Sequence, residues 1–282
     1  MNNIPSLNAA QLLKKYGLRA DKRLGQNYLQ DASALEKIVE AAEIQKADTV
    51  LEIGAGLGSL TRYLSLSAHQ VVAVELDPKL VSVLQTILKP YANVHLIHGD
   101  ILNLTPTELG LPADYLVAAN IPYHITSAII RHLLESEPKP RRMVLTVQKE
   151  VAERICATPP DMSLLALSVQ VYATPKIMAH ISAEAFFPAP KVDSAVVRID
   201  ILPSPVIELH LLDNFFQLIK AGFGQKRKTL RNSLSAGLKI STAEAESLLA
   251  KAEVDSKRRA ETLSLDEWER LSIAWKSVSS ER

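Results

Sequence analysis

The stretch that decides the fold is TVLEIGAGLGSLTRYLSLSA, residues 49–68. It opens as an apolar strand, passes through three glycines and continues as a helix-like segment. A buried strand, a glycine-rich turn and a helix form the first half of a βαβ unit. Further apolar runs follow at 70–77, 93–100, 114–120 and 142–149, with helix-like segments between them. This alternation predicts a parallel sheet covered on both faces.

The remainder of the chain has a different pattern. The runs at 167–181 and 191–201 have no good helix between them and predict an antiparallel addition at one edge of the sheet. Pro203 and Pro205 indicate a linker, and the pattern after it is helical throughout. We therefore predict a Rossmann-like α/β domain over 1–203, with an N-terminal arm, and a small all-α domain over 204–282.

Composition excludes several classes of protein. The 282 residues are 47% hydrophobic and 22% charged, which is ordinary globular usage. A single cysteine, Cys156, excludes an internal disulfide framework and fits a reducing cytoplasm. No apolar run is long enough to span a bilayer, and the N-terminus lacks the pattern of a signal peptide. We expect a cytoplasmic monomer that does not contact a membrane.

Glycines follow the first predicted strand, and a carboxylate ends each of the next two. In a parallel sheet, ligands bind beyond those ends. Gly54 and Gly56 follow the first strand and let a ligand approach the backbone closely. Glu75 ends the second strand, where a carboxylate can accept from ribose hydroxyls, and Asp100 ends the third, where it can accept from an adenine amine. This set predicts an adenosine-containing cofactor but does not separate NAD from S-adenosylmethionine.

The fourth strand ends in NIPY, residues 120–123, and this motif favours S-adenosylmethionine. The Asn120 amide oxygen can accept a hydrogen bond from an exocyclic adenine amine. This hydrogen bond makes the nitrogen of the adenine amine a better nucleophile. Pro122 has no N–H and can aim a backbone carbonyl at the same amine, while Tyr123 can stack on the base. Positioning then supplies most of the catalysis of methyl transfer, without a strong base or a metal.

Net charge is only +1, but the basic residues are clustered. A local field of this kind can bind phosphates. A single cluster of this kind is more often the solvated face of a helix, but the presence of three clusters weakens that interpretation. The candidate RNA contacts are Lys22, Arg23, Lys226, Arg227, Lys228 and Arg231, and Lys257, Arg258 and Arg259 form a further group.

Nearly the whole chain resembles the ribosomal RNA adenine N6,N6-dimethyltransferase family. The matching stretches include KRLGQNYL (22–29), VLEIGAGLGSLT (50–61), NIPYHITS (120–127), FFPAPKVDSAVVRI (186–199) and GFGQKRKTLRNSL (222–234). The resemblance implies an S-adenosylmethionine-dependent methyltransferase with a Rossmann-like sheet and no metal. Within the family, KRKTLRNSL and RRAETLSLDEWERL resemble the small-subunit enzymes rather than those that modify large-subunit rRNA.

The resemblance also implies residue roles. Asn27 and Leu29 look like a loop that closes over the cofactor, and Asn120 looks shared between cofactor and target amine. Tyr123 and Phe186 look like the two rings around the target adenine; spacing to Pro188 and Pro190 favours Phe186 over Phe187. The implied cofactor residues are Asn27, Leu29, Gly54, Gly56, Glu75, Asp100, Ile101 and Asn120.

The implied substrate is two adjacent adenosines of the 3′-terminal hairpin of 16S rRNA, within an immature 30S particle. Two alternatives stay open: a methyltransferase of large-subunit rRNA, and an assembly or transcription factor that binds nucleic acid without turnover. NIPY disfavours an NAD dehydrogenase. A metalloenzyme is disfavoured because His95 and His98 face opposite sides of a strand.

Overall fold

A computed structural model describes residues 4–225 and 227–279, apart from the side chain of His124. Contacts divide the chain into two compact units. The first comprises the chain up to Ala152 together with Pro175–Ile201. The second comprises Glu153–Thr174 and the chain from Leu202 onward. Residues 153–174 thus pack with the C-terminal helices. The sequence pattern assigns them to the α/β domain, because they precede the linker at Pro203 and Pro205.

Strands alternate with helices as the sequence predicts. The strands are β1 Tyr28–Leu29, β2 Thr49–Ile53, β3 Gln70–Glu75, β4 Val94–His98, β5 Leu116–Asn120, β6 Arg142–Gln148, β7 Ala173–Ile181, β8 Phe186–Phe187 and β9 Ser194–Ile201. A seven-stranded sheet has the order β4-β3-β2-β5-β6-β9-β7, and β1 pairs with β8 in a separate antiparallel ribbon. The predicted fold class is confirmed.

The central strands are parallel, and their side chains are apolar because both faces of the sheet are covered. β2 pairs in parallel with β3 and with β5, and every residue of β2 is buried. β3 pairs with β4, and β5 with β6, also in parallel. Chain order reverses at β2, so the boundary between β2 and β5 is the switch point at which such sheets bind ligands.

The predicted antiparallel addition lies next to β6. β9 runs antiparallel to β6 over its whole length, from Arg142 opposite Asp200 to Gln148 opposite Ser194. β7 forms the edge beside β9. The run at 167–181 is only partly a strand, because residues 164–170 form a helix. Ser163 caps that helix by accepting from the Ala166 N–H, which satisfies a terminal donor.

The helices are α1 Ala9–Lys15, α2 Ala32–Ala42, α3 Ser59–Ser67, α4 Pro78–Ile87, α5 Thr126–Glu135, α6 Lys149–Ile155, α7 Leu164–Gln170, α8 Leu212–Phe223, α9 Leu230–Leu238, α10 Thr242–Lys251 and α11 Leu265–Ser279. Side-chain caps explain several starts. Asp31 accepts from the Ala34 N–H at 2.8 Å before α2. Asp77 accepts from Lys79 before α4, and Ser241 forms a capping box with Glu244 before α10.

Each unit has its own apolar core. In the first, α2, α3 and α4 pack on the sheet through residues such as Ile38, Leu64 and Leu84, which are fully buried. In the second, α7–α11 enclose Phe215 and Trp268, also fully buried. Within the described residues, no helix has the length and apolar character needed to cross a membrane.

Candidate functional site

The four strand ends singled out in the sequence surround one cavity of the first unit. Gly54 follows β2, Glu75 ends β3, Asp100 follows β4 and Asn120 ends β5, and all four line this cavity. Its empty volume is about 980 Å³, counting its open mouth. The carboxyl ends of parallel strands meet at one edge of the sheet, which is why residues distant in sequence converge here.

The glycine-rich turn brings backbone rather than side chains to the cavity. Gly54 and Gly56 have φ of 74° and 60°, conformations that favour glycine. A Cβ on Gly56 would lie 3.2 Å from the ring of Tyr28. The Gly56 N–H donates to Glu75 Oε2 at 2.7 Å, so the turn is also tied to the next strand.

Glu75 is 6% exposed, and backbone donors hold both of its oxygens. Oε2 accepts from Gly56, and Oε1 accepts from the Asp77 N–H at 2.9 Å. Burial raises the pKa of Glu75, while these hydrogen bonds oppose the shift. Each carboxylate oxygen can accept a second hydrogen bond, so a diol could still be recognised here.

The neighbouring wall of the cavity combines one carboxylate with apolar side chains. Asp100 Oδ1 accepts from the Leu102 N–H at 3.0 Å and so caps a short 3-10 turn. Ile101 is buried, whereas Leu76 is 46% exposed, and both line the cavity. A carboxylate between apolar walls suits a flat base that carries an amine.

Glu52 is a second buried carboxyl at the cavity. It is 1% exposed, and its Oε2 has no hydrogen-bond partner among the described residues. Burial raises the pKa of Glu52 to about 8, with a smaller contribution from the charge of Glu75. Glu52 therefore keeps its proton over much of the neutral range.

Asn120 lies at the switch point with its side-chain amide already oriented. Its Nδ2 donates to the backbone carbonyl of Asn27 at 3.0 Å. A carbonyl can only accept, so the amide must turn its NH₂ end toward Asn27. The Oδ1 end is then the one left to accept from another group. Asn27 and Leu29 belong to the cavity lining, and the Asn27 side chain donates to Gly25 O at 3.2 Å.

Pro122 and Tyr123 continue the cavity wall beyond Asn120. The Tyr123 hydroxyl and the Ser194 hydroxyl lie 2.7 Å apart, which fixes the ring against β9. Burial raises the pKa of Tyr123, so the phenol stays neutral. A neutral ring held at its far end is suited to stacking rather than to proton transfer.

The two phenylalanines of the FFPAP segment differ in exposure. Phe186 is 3% exposed and packs in the core of the first unit, with its backbone opposite Leu29. It does not belong to the cavity lining in the part of the chain that the structure describes. Phe187 is 36% exposed and lies opposite Tyr28.

The predicted RNA contacts lie in both units. In the first, Lys22 and Arg23 form a 3-10 turn, and the side chain of Arg23, 90% exposed, pairs with Asp21 at 2.9 Å. In the second, Arg227 and Lys228 are exposed in the turn before α9. Arg231 pairs with Glu246 at 3.4 Å. Lys226 lies outside the described residues.

The third basic group is partly neutralised. Arg258 forms an ion pair with Glu267 and also donates to Thr262, so its guanidinium holds the start of α11 in place. Arg259 lies 3.8 Å from Glu261. Glu267 and Glu261 therefore offset part of the positive charge of this basic group.

Sequence reasoning missed three residues around the cavity. Glu52 could have been found, because a carboxylate inside an apolar strand is rarely buried without a role. Gln26 donates to Asp77 Oδ2 at 3.0 Å, and Ser194 holds Tyr123. No sequence motif near Gln26 or Ser194 indicates these contacts, because each residue binds a partner that is distant in sequence.

The residues present fit an adenosine-containing methyl donor. Two glycines keep Cβ atoms out of the turn, Glu75 and Asp100 offer acceptors, and the unpartnered Glu52 Oε2 offers a further polar contact. Apolar walls separate these groups. This donor set suits an uncharged nucleoside better than a phosphate, since carboxylates repel anions.

Comparison with known proteins identifies the family. The model of the family described as "Ribosomal RNA adenine dimethylase" matches residues 17–273. The chain belongs to this family. A relative from Dehalococcoides mccartyi (strain CBDB1), named "Ribosomal RNA small subunit methyltransferase A", is 47% identical over 96% of this chain and 94% of its own.

Two solved structures are similar over most of the chain. The 23S rRNA methyltransferase ErmE is 28% identical with a TM-score of 0.72, and covers 89% of this chain and 100% of its own. A dimethyladenosine transferase from Plasmodium falciparum is 26% identical with a TM-score of 0.76, and covers 89% and 98%. The resemblance stated from the motifs is confirmed: the protein is an S-adenosylmethionine-dependent rRNA adenine dimethyltransferase.

Proposed function

We propose that this protein transfers methyl groups from S-adenosylmethionine to N6 of two adjacent adenosines in the 3′-terminal hairpin of 16S rRNA. The product is N6,N6-dimethyladenosine, formed on an immature 30S particle in the cytoplasm by a monomeric enzyme. The observation that carries this proposal is the orientation of Asn120. Its NH₂ end is committed to Asn27 O, and its oxygen is left as an acceptor at the switch point of the sheet.

Residues of the first unit would hold the cofactor. Glu75 would accept from the ribose hydroxyls and Asp100 from the adenine amine, between Ile101 and Leu76. Gly54 and Gly56 would let the methionine part approach the turn, and Asn27 and Leu29 would close the cavity. When bound, S-adenosylmethionine would supply a methyl group activated for transfer to a weak nucleophile and would leave as S-adenosylhomocysteine, while the proton displaced from the amine would pass to water.

Target residues would act by orientation. Asn120 Oδ1 would accept from one N–H of the target amine, and a backbone carbonyl near Pro122 would accept from the other. Both hydrogen bonds raise electron density on a nitrogen whose lone pair is otherwise delocalised into the ring. Tyr123, fixed by Ser194, would stack on the base, and Phe186 is proposed as the second ring. Since Phe186 is buried, this role requires residues 28–29 and 186–187 to move when RNA binds.

The choice of small-subunit rRNA is supported by the relative named "Ribosomal RNA small subunit methyltransferase A", at 47% identity. The large-subunit enzyme ErmE is similar at 28%. The exposed Arg227 and Lys228 are proposed to bind phosphates, together with Lys22, Arg23, Lys226 and Arg231. Arg231 would exchange its pairing with Glu246 for a phosphate.

The test is methyl transfer from radiolabelled S-adenosylmethionine. The enzyme is offered small subunits that lack dimethyladenosine, large subunits, and naked rRNA, and the RNA is then digested and its nucleosides identified. We expect labelled dimethyladenosine in small subunits alone, at two neighbouring positions. Label in the large subunit would replace the proposed substrate. Cofactor binding without any label would favour an assembly factor that has lost turnover.

A further inference from the structure

The segment formed by residues 21–29, here called the arm, supplies part of the cavity wall. Leu24, Gly25, Gln26, Asn27, Tyr28 and Leu29 all line the cavity. The arm begins at Asp21, whose side chain accepts from the Arg23 N–H, and Gly25 ends its 3-10 turn with φ of 63°. Its two-residue strand pairs with β8, and Tyr28 and Leu29 are buried, so the end of the arm is held by packing. The residues before Tyr28 lie outside this strand and depend on further hydrogen bonds.

One contact joins the arm to the strand end that carries Glu75. Gln26 Nε2 donates to Asp77 Oδ2 at 3.0 Å. Asp77 is itself fixed, because its N–H donates to Glu75 Oε1 and its Oδ1 accepts from the Lys79 N–H. Gln26 therefore binds to a rigid junction between β3 and α4, beside the carboxylate proposed to hold ribose.

The orientation of the Gln26 amide is also determined. Its Oε1 accepts from the Asp21 N–H at 2.8 Å and from the Tyr28 hydroxyl at 2.7 Å. A backbone N–H can only donate, so the NH₂ end must face Asp77. Burial raises the pKa of Tyr28, which keeps its phenol protonated as a donor to Gln26. One amide thus ties together both ends of the arm and the β3–α4 junction.

The residue after Gln26 carries the carbonyl that orients Asn120. Asn27 O accepts from Asn120 Nδ2 at 3.0 Å, and Asn120 is 93 residues away in sequence. If the arm shifts, this carbonyl shifts with it, and the Asn120 amide becomes free to rotate. The two contacts are separated by a single peptide unit, so a displacement of Gln26 would also move the Asn27 carbonyl.

We infer that Gln26 is a positioning residue: its hydrogen bond to Asp77 holds the arm where the Asn27 carbonyl orients the Asn120 amide for methyl transfer. The inference rests on the proposed function, in which Asn120 accepts from the target amine. Gln26 does not touch the reacting atoms. Its effect is transmitted through the arm backbone, and closure of the cavity and alignment of Asn120 become one event.

The contact can be tested by exchanging donor and acceptor. Gln26→Glu keeps the acceptor for Asp21 and Tyr28 but places a carboxylate against that of Asp77. Asp77→Asn keeps the helix cap but can place its new NH₂ group against that of Gln26. The double variant restores a hydrogen bond in the opposite direction, because the amide introduced by Asp77→Asn can donate to the carboxylate introduced by Gln26→Glu. Gln11→Glu is the matched control, an identical change at an exposed position of α1.

We expect each single substitution to lower kcat about tenfold or more, as misplacement of a reacting group does, with a much smaller change in KM for RNA. The double variant should recover to within roughly threefold of the wild type, which independent effects on stability would not produce. The Gln11→Glu variant should match the wild type. Melting temperatures of all variants separate loss of positioning from loss of folding.

Hydrogen exchange of residues 21–29 without RNA gives a readout independent of turnover. Faster exchange in each single variant, reversed in the double variant, supports the inference even if the wild type methylates none of the offered RNAs. Absence of methylation by the wild type would overturn the proposed function but not the positioning role of Gln26. Wild-type kcat and arm protection in both single variants would overturn the positioning role, as would a double variant whose losses simply add.

Discussion

At the scale of single residues, the proposed chemistry depends on where one amide points. Asn120 would have little effect as a free surface side chain, because either end could face the target. The Asn27 carbonyl removes that freedom. A reacting group held in place contributes more than one that must be ordered during the reaction.

Replacing Asn120 by alanine should lower kcat by about a hundredfold or more, the usual effect of removing one oriented hydrogen-bonding group from an active site. The fold should persist, because Asn120 ends its strand and is only half-buried. Single-turnover methyl transfer and circular dichroism are the measurements. Normal turnover by Asn120→Ala would refute the proposed role of the amide oxygen.

Glu52 should make stability depend on pH. In the folded protein burial raises its pKa from 4.5 to about 8, so the folded state retains a proton that the unfolded chain loses. The contribution of Glu52 to stability is complete below pH 4.5 and is lost as pH rises toward 8. The melting temperature of Glu52→Gln minus that of the wild type should therefore be larger at pH 8 than at pH 5.

Glu40→Gln, at an exposed position of α2, controls for the removal of one negative charge. Calorimetry at both pH values is the measurement. A difference between Glu52→Gln and the wild type that stays constant from pH 5 to pH 8 would mean that Glu52 is ionised in the folded protein at both values.

At the scale of elements, the C-terminal helices pack with very little space between them. Gly237 of α9 faces Ala221 of α8, and a Cβ added there would lie 2.5 Å from the Ala221 Cβ. The added Cβ would also lie 2.6 Å from the Ala221 Cα, so the backbone itself must shift, and overpacking should cost about 3 kcal/mol, the upper end of its usual range. The gain of about 1 kcal/mol that alanine brings to a helix interior offsets part of this cost, so Gly237→Ala should destabilise the protein by about 2 kcal/mol.

Urea unfolding measures this effect. Ala236→Ser is the control, since it adds one heavy atom at the neighbouring, exposed position of the same helix. The control should lower stability by no more than about 0.7 kcal/mol, the range of helix propensity among ordinary residues. A Gly237→Ala variant as stable as the wild type would show that α8 and α9 are able to separate without cost.

The turn before α9 is the element on which RNA binding can be tested. Neutralising the exposed Arg227 and Lys228 should weaken rRNA binding and reduce the dependence of log K on log salt by roughly 0.7–0.9 for each phosphate that is no longer neutralised. Adding Lys226 to the set should extend the effect. Filter binding between about 50 and 200 mM salt is a suitable assay.

Lys239→Gln with Lys251→Gln is the matched control, because it removes two exposed cations elsewhere in the same unit. Its salt slope should equal that of the wild type. An unchanged slope after substitution of Arg227 and Lys228 would exclude this turn from the RNA interface.

At the scale of the whole molecule, the described cavity residues all belong to the first unit. S-adenosylhomocysteine at about a hundred times its Kd should stabilise the folded state by about 2.7 kcal/mol. Hydrogen exchange should slow around residues 52–60, 99–101 and 120–123, and should be unchanged in α8–α11. Protection of those helices by the cofactor alone would show that the second unit also responds to cofactor binding.

Much of the fold followed from local pattern. The alternation of apolar runs with helix-like segments predicted the parallel sheet, because strand and helix periods are local properties of the chain. Residues 167–170 departed from the predicted antiparallel run at 167–181, because they belong to the helix Leu164–Gln170. Their apolar run suited either a strand or a buried helix, and the Ser163 cap together with packing of Leu167 decided for the helix.

The sequence by itself determined the family, the strand ends and the chemical types of residue at the cavity, since motif and spacing are written in the chain. Tertiary structure alone decided that Asn27 orients Asn120, that Ser194 holds Tyr123, and that Phe186 is buried while Phe187 is exposed. It also decided that Gln26 meets Asp77, 51 residues away. These relations join distant segments, and their geometry exists only after the sheet has brought its strand ends together.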